Sequence, residues 1–140
     1  MRQIPSYPLW LGHTGDARNL PLVLSTGIVA IVDLAIDEPP PKLTRELVYC
    51  RFPLLDGAGN PEWILRSAIE TVEGLLRSQT PTLVFCGAGM SRSPAIAATG
   101  IARVSGLSLA ECLGLVSQAG PVDLSPGLWQ EVRALMQNWA

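Results

Sequence analysis

The segment from Thr82 to Ala98 constrains this chain more than any other. Thr82-Leu83-Val84-Phe85 is a short apolar run of the kind that lies buried on both faces of a sheet. Pro94-Ala95-Ile96-Ala97-Ala98 reads as the first turns of a helix. Between them stand Cys86, Gly87, Ala88, Gly89, Met90, Ser91, Arg92 and Ser93. A strand that feeds a short glycine-containing loop into a helix N-terminus forms an anion cradle, because the loop amides and the helix dipole converge on one point. Gly87 and Gly89 allow the tight backbone that such a loop requires. Arg92 adds a planar, permanently charged fork suited to two phosphate oxygens.

Cys86 stands at the mouth of this cradle, where the potential that attracts an anion also favours a thiolate. Nucleophile and phosphorus would then meet in one structure, and in-line attack would give a phosphocysteine intermediate. Ser93 is placed to donate a hydrogen bond to the sulfur as it departs in the second step. A bare Cys-x5-Arg spacing is weak by itself, since a buried strand-end cysteine commonly serves packing alone. The combination of strand, glycines, arginine, Ser-Pro and helix is what favours chemistry.

The rest of the chain alternates β-rich runs with helical patterns, the order expected of a sheet built through crossover helices. Ile28 to Val32 and Leu47 to Phe52 read as further strands buried on both faces, and Leu9-Trp10-Leu11 as an added edge strand. Asn60-Pro61-Glu62 offers an N-cap, a first-turn proline and an early carboxylate, followed by an apolar face from Ile64 to Leu76. Ser108 and Glu111 form a capping box, and Ser125-Pro126 opens a last helix. With 140 residues and no repeat, this predicts an α/β fold: one domain over 1–140 with a central, mainly parallel sheet of four to five strands flanked by helices. The helical C-terminal third is expected on one face of that sheet.

Ten basic and twelve acidic residues, a net charge of −2, supply no cationic face for nucleic acid. Lys42 is the only lysine, so an anion must be held by arginine and backbone amides. Three cysteines (Cys50, Cys86 and Cys112) and one histidine, His13, suggest neither a disulfide framework nor a metal site, and no cofactor is expected. Cys50 could at most pair with Cys86 on oxidation; a buried structural thiol is the simpler reading. The N-terminal residues lack the apolar run of a signal peptide, and Leu22 to Ile36 is too short and interrupted to span a bilayer. A cytoplasmic protein that does not engage membranes is expected.

At Cys86-x5-Arg92-Ser93 the sequence resembles the dual-specificity branch of the protein tyrosine phosphatases, whose signature is Cys-x5-Arg followed by Ser or Thr. Leu9-Trp10-Leu11-Gly12 with Asp16-Ala17 looks like that family's opening strand and first helix. Phe52-Pro53-Leu54-Leu55-Asp56 is similar to the segment ending in its general acid, and Leu107 to Glu111 to the segment after its active-site helix. The resemblance implies phosphomonoester hydrolysis with Cys86 as nucleophile, and with Gly87, Ala88, Gly89, Met90, Ser91 and Arg92 on the phosphate. It also implies Ser93 beside the sulfur and Asp56 as proton donor to the leaving oxygen. The glycines after Asp56 would let it swing over a bound ester; its plainer reading is an Asp-Gly turn. Asp33 and Asp37 are rival carboxylates better suited to hydrogen bonding or loop roles, and Asp123 could cap a helix or reach the site.

One departure stands out: the family usually has histidine before the nucleophile, and here Phe85 occupies that position. A less activated nucleophile and slower turnover follow, with His13 unable to substitute from a surface loop near the opening strand. The absence of basic residues inside the loop favours a singly phosphorylated protein or small phosphomonoester over an inositol phospholipid, and a short chain favours a shallow pocket with broad aryl-phosphate activity. Two alternatives remain on sequence alone: a non-catalytic phosphate-binding module and a rhodanese-type sulfurtransferase. The latter gives Asp56 no role.

Overall fold

In the computed structural model, which describes residues 1–139, the expected mixed fold is present. Five strands form one sheet: β1 (Arg2–Gln3), β2 (Leu9–His13), β3 (Ala30–Ala35), β4 (Val48–Leu54) and β5 (Thr82–Cys86). Their spatial order is β1-β2-β5-β3-β4, with β2, β5, β3 and β4 mutually parallel and β1 antiparallel to β2. Six helices accompany them: α1 (Thr14–Arg18), α2 (Leu20–Thr26), α3 (Glu62–Arg77), α4 (Arg92–Ser105), α5 (Leu109–Ala119) and α6 (Pro126–Gln137).

β3 and β5 lie in the middle of the sheet, and every residue of both is buried, which is why they are mainly apolar, with Asp33 and Thr82 the polar members. Residues of α3, α4, α5 and α6 share the larger core with Leu9, Leu11, Val32 and Val84 on one face of the sheet. On the other face Ala17 of α1 and Val23 of α2 pack against Ile31, Leu83 and Phe85. Helices change face on either side of β5. Its C-terminal end therefore opens into a crevice, the usual ligand position in a parallel sheet.

Three expectations need correction. Leu9-Trp10-Leu11 is not an edge strand, because the two-residue β1 pairs outside it. Leu47 to Phe52 is not buried on both faces: β4 pairs only with β3, and most of its residues stay partly exposed at the sheet edge. The strand expected over Ile28 to Val32 runs instead to Ala35, so Asp33 lies inside it.

The helix starts expected at α5 and α6 are present, whereas the one at α3 differs. The Ser108/Glu111 capping box forms: Glu111 N donates to Ser108 Oγ at 3.1 Å and Ser108 N to Glu111 Oε2 at 3.3 Å. Ser125 and Pro126 open α6 as expected. At α3 the cap position falls on Pro61, and Asn60 is diverted to the preceding loop. No helix among the described residues is long and apolar enough to cross a membrane.

The three cysteines are free thiols. Cys50 pairs with Val32, which in turn pairs with Val84 of β5, so Cys50 lies two strands from Cys86. That spacing is roughly 10 Å, beyond the Cα reach of a disulfide. A Cys50–Cys86 bridge does not fit this sheet.

Candidate active site

β5 ends at Cys86 and α4 begins at Arg92, leaving a five-residue loop between them. Three of its carbonyls are turned outward. Gly87 O accepts from Thr14 N at 3.3 Å, Gly89 O from Arg2 Nη2 at 2.9 Å, and Met90 O from Asp123 N at 2.8 Å. In a trans peptide the carbonyl and the next N–H point in opposite directions. The N–H groups of Ala88, Met90 and Ser91 therefore face inward and make an anion nest. Gly89 has φ +76°, and a Cβ there would lie 2.8 Å from the Gly12 carbonyl oxygen, so only glycine fits.

Arg92 is 5 % exposed at the first turn of α4. Its Nη1 donates to Asp37 Oδ1 at 2.9 Å and to Leu54 O at 3.0 Å; Nη2 reaches Asp37 Oδ2 only at 3.5 Å. Nε is buried without a partner. Such an orphaned donor is costly unless an acceptor arrives, and Arg92 lines the same cavity as Ala88, Met90 and Ser91. The hydrogen bond from Arg92 holds the Asp37 carboxyl below its ordinary range. Burial opposes the charge of Arg92, but that same hydrogen bond and the negative potentials of Cys86, Asp37 and Asp56 outweigh it and keep the guanidinium firmly protonated.

A cavity of about 120 Å³ opens over the loop, lined by Asp56, Cys86, Ala88, Met90, Arg92 and Asp123 together with Ser91. Cys86 is 2 % exposed and lies 3.3 Å, Sγ to Oγ, from the fully buried Ser93. Ser91 Oγ donates to Asp56 Oδ1 at 2.5 Å while accepting from Ser125 N at 2.9 Å. A larger groove of about 310 Å³ between α3 and α6, bordered by Glu62, Leu65, Glu131 and Leu135, holds no nucleophile.

The loop bearing Asp56 is tied, not free to swing as its glycines suggested. Asn60 Oδ1 accepts from Leu55 N at 2.8 Å, and its Nδ2 donates to Leu55 O at 3.1 Å and Gly57 O at 3.0 Å. Glu131 of α6 accepts from Gly59 N at 2.8 Å and from Asn60 N at 3.4 Å. Asp56 is thus bracketed by residues that one buried side chain fixes.

Cys86, Arg92, Asp56, Ser93, Ala88, Met90 and Ser91 therefore come together, with Gly87 and Gly89 shaping the backbone around them. Asp123 reaches the site. Asp37 is drawn to Arg92, and Asp33 stays in the sheet, bound by Tyr49 Oη at 2.5 Å and by Ala35 N at 2.9 Å. His13 is not on a loop: it ends β2 in register with Cys86, and its exposed ring caps α1 by accepting from Asp16 N at 3.3 Å. Phe85 points away from the pocket into the core formed with Ala17, Ile31 and Ala35. Arg2, Ser125 and the Asp37–Arg92 contact escaped sequence reasoning because each acts across a long sequence separation, and the Asn60 side chain, which acts within five residues, was missed as well. Asn60 alone carried a local signal, which pointed to a helix cap instead.

Sheet order, loop and pocket gather Cys86, Arg92 and Asp56 in the arrangement that the resemblance to cysteine-based phosphatases implies. No family model matches the chain. It is 29 % identical to human dual specificity phosphatase 28 over 138 residues, 95 % of this chain and 75 % of that protein. Identity to human dual specificity protein phosphatase 15 is 28 % over 134 residues, 94 % of this chain and 44 % of that one. The crystal structure of human DUSP28 superposes with a TM-score of 0.86 at 24 % identity, covering 99 % of this chain and 96 % of the other. In sequence and in fold the chain is similar to dual-specificity phosphatases over nearly its whole length.

Proposed function

We propose that residues 1–140 form a catalytic domain that hydrolyses phosphomonoesters through a phosphocysteine intermediate. One observation carries the reading: Cys86, Asp56 and Arg92 line a single small cavity, and the buried Nε of Arg92 lacks an acceptor. The substrate phosphoryl group lies against the inward amides, with two oxygens on Nε and Nη2 of Arg92. The Cys86 thiolate attacks phosphorus, the P–O bond to the leaving group breaks, and the Asp56 carboxyl gives its proton to the departing oxygen. In the second step the Asp56 carboxylate takes a proton from water as that water attacks phosphorus. The S–P bond breaks, and Ser93 donates to the released thiolate.

The substrate is a singly phosphorylated protein or a small aryl phosphate. The loop brings no lysine or second arginine to the cavity for a further phosphate. Met90 and the neighbouring Leu55 are 37 % and 45 % exposed and offer apolar surface to an aromatic ring at the rim. A thiolate nucleophile requires a reducing compartment, which suits the cytoplasm.

Hydrolysis of a small aryl phosphate by wild type, Cys86→Ser and Asp56→Asn tests the reading. Turnover surviving in Cys86→Ser would refute the mechanism, and an unchanged rate and pH profile in Asp56→Asn would remove the acid assignment. The burial of Phe85 in an apolar core favours one second reading, a phosphate-binding module that barely turns over. It predicts inorganic phosphate binding without aryl phosphate hydrolysis.

A further inference from the structure

We propose that Arg2 is a positioning residue for the phosphate-binding loop, acting as a clamp on the Gly89–Met90 peptide from the far end of the chain. This rests on the reading that the loop holds a phosphoryl group. Arg2 Nη2 donates to Gly89 O at 2.9 Å and to Pro121 O at 3.2 Å, so one guanidinium joins the loop to the segment entering α6. That segment supplies Asp123 N to Met90 O and Ser125 N to Ser91 Oγ.

The Gly89–Met90 peptide needs such a lock. Its flanking glycine has φ +76° and tolerates either orientation of the peptide plane. Only with the carbonyl outward does the Met90 N–H face the phosphate. Arg2 holds the carbonyl outward with a charge-assisted hydrogen bond, the stronger kind. The neighbouring ties come from backbone donors that cannot be exchanged, leaving Arg2 as the side chain that sets this plane.

Space for the clamp is reserved at Gly120. Its φ of 163° is ordinary extended backbone that any residue adopts, so conformation does not call for glycine. A Cβ there would instead lie 2.4 Å from both Cδ and Nε of Arg2. The Arg2 side chain runs through the volume that a side chain at position 120 would fill. Phe85, lying in the apolar core on the other side, gives the loop no polar support, and the Arg2 clamp supplies it from outside.

The test measures the affinity of the full chain for inorganic phosphate by calorimetry, with aryl phosphate turnover and thermal melting alongside. Arg2→Ala should weaken phosphate binding and lower kcat/KM by about tenfold, the loss of one hydrogen bond to a charged group. Arg2→Lys should recover part of both, since it keeps the cation but not the fork. Gly120→Ala, which leaves Arg2 in the chain but displaces it, should cost as much as Arg2→Ala in the wild-type background and nothing further in the Arg2→Ala background. That non-additivity is the signature of one clamp. Phosphate affinity unchanged in Arg2→Ala, or fully additive losses in the double variant, overturns the proposal. Wild type that binds phosphate through the clamp yet never turns over would leave the clamp standing and defeat the phosphatase reading. Normal turnover in every variant would do the reverse.

Discussion

Arg92 gives its Nη1 to Asp37 at 2.9 Å and keeps Nε free, so the carboxylate steadies the guanidinium without occupying Nε. Nη1 is already shared with the Leu54 carbonyl, and the Nη2 contact to Asp37 is long at 3.5 Å. On the proposed mechanism an arriving phosphate would meet Nε and Nη2, while Nη1 stays anchored.

Removing the anchor should lower activity. Asp37→Ala leaves Arg92 with one of its two fixed partners, and kcat/KM on an aryl phosphate should fall about tenfold, the scale of one charged hydrogen bond. Asp37→Asn, which keeps an acceptor, should lose less. A rise in kcat/KM for either variant would show that Asp37 competes with substrate.

The same contact predicts a pH dependence of stability. The Arg92 hydrogen bond lowers the Asp37 pKa in the folded state. A depressed carboxylate pKa contributes stability that is present above its unfolded value of about 4 and lost as pH falls through the folded value. Denaturant unfolding of wild type and Asp37→Asn should show a gap at pH 6 that closes at acid pH. A gap that widens on acidification would contradict the assignment.

Asn60 should matter to catalysis through Asp56. Asn60→Ala removes three hydrogen bonds and leaves Leu55 N–H without its acceptor, costing about 2 kcal/mol. Well below the melting temperature, kcat should fall more than KM changes if, as proposed, Asp56 acts on the leaving oxygen and not on phosphate binding. Equal proportional effects on both would reduce Asn60 to a purely structural role.

Ser93→Ala should slow the second step selectively. Without the hydroxyl 3.3 Å from Cys86 Sγ, the departing thiolate loses a donor, a loss of roughly tenfold in dephosphorylation. Rapid-mixing kinetics should then show a burst of aryl alcohol equal to one per active site. A uniform slowdown without a burst would place Ser93 in the first step.

Phe85→His tests the family departure. Phe85 is 1 % exposed among apolar side chains, so an imidazole there should lower stability by about 1–3 kcal/mol. Its polar support for the loop should raise kcat several-fold and increase the alkylation rate of Cys86 at neutral pH. A destabilised variant with unchanged kcat would show that apolar packing at this position already suffices.

What could be read along the chain was local chemistry. Thr82 to Ala98 announces strand, cradle and helix because those residues are neighbours, and the Ser108/Glu111 and Ser125-Pro126 starts are set within four residues. The apolar runs Ala30 to Val32 and Leu83 to Phe85 lack polar alternation because both faces of a central parallel strand are buried. The edge position of β4 and the existence of β1 were not readable, since they depend on which strand pairs outside which.

The Cys86 loop, with its cysteine, glycines and arginine, was thus determined by the sequence itself. Only the tertiary structure decided what holds it in working order: Arg2 from 87 residues away, Asp37 from 55, and Asp56 from 35. The physical reason is range. Capping, turn formation and strand propensity act between residues adjacent in the chain, whereas a buried guanidinium or an outward carbonyl takes its partner from whatever the packed sheet brings within 3 Å.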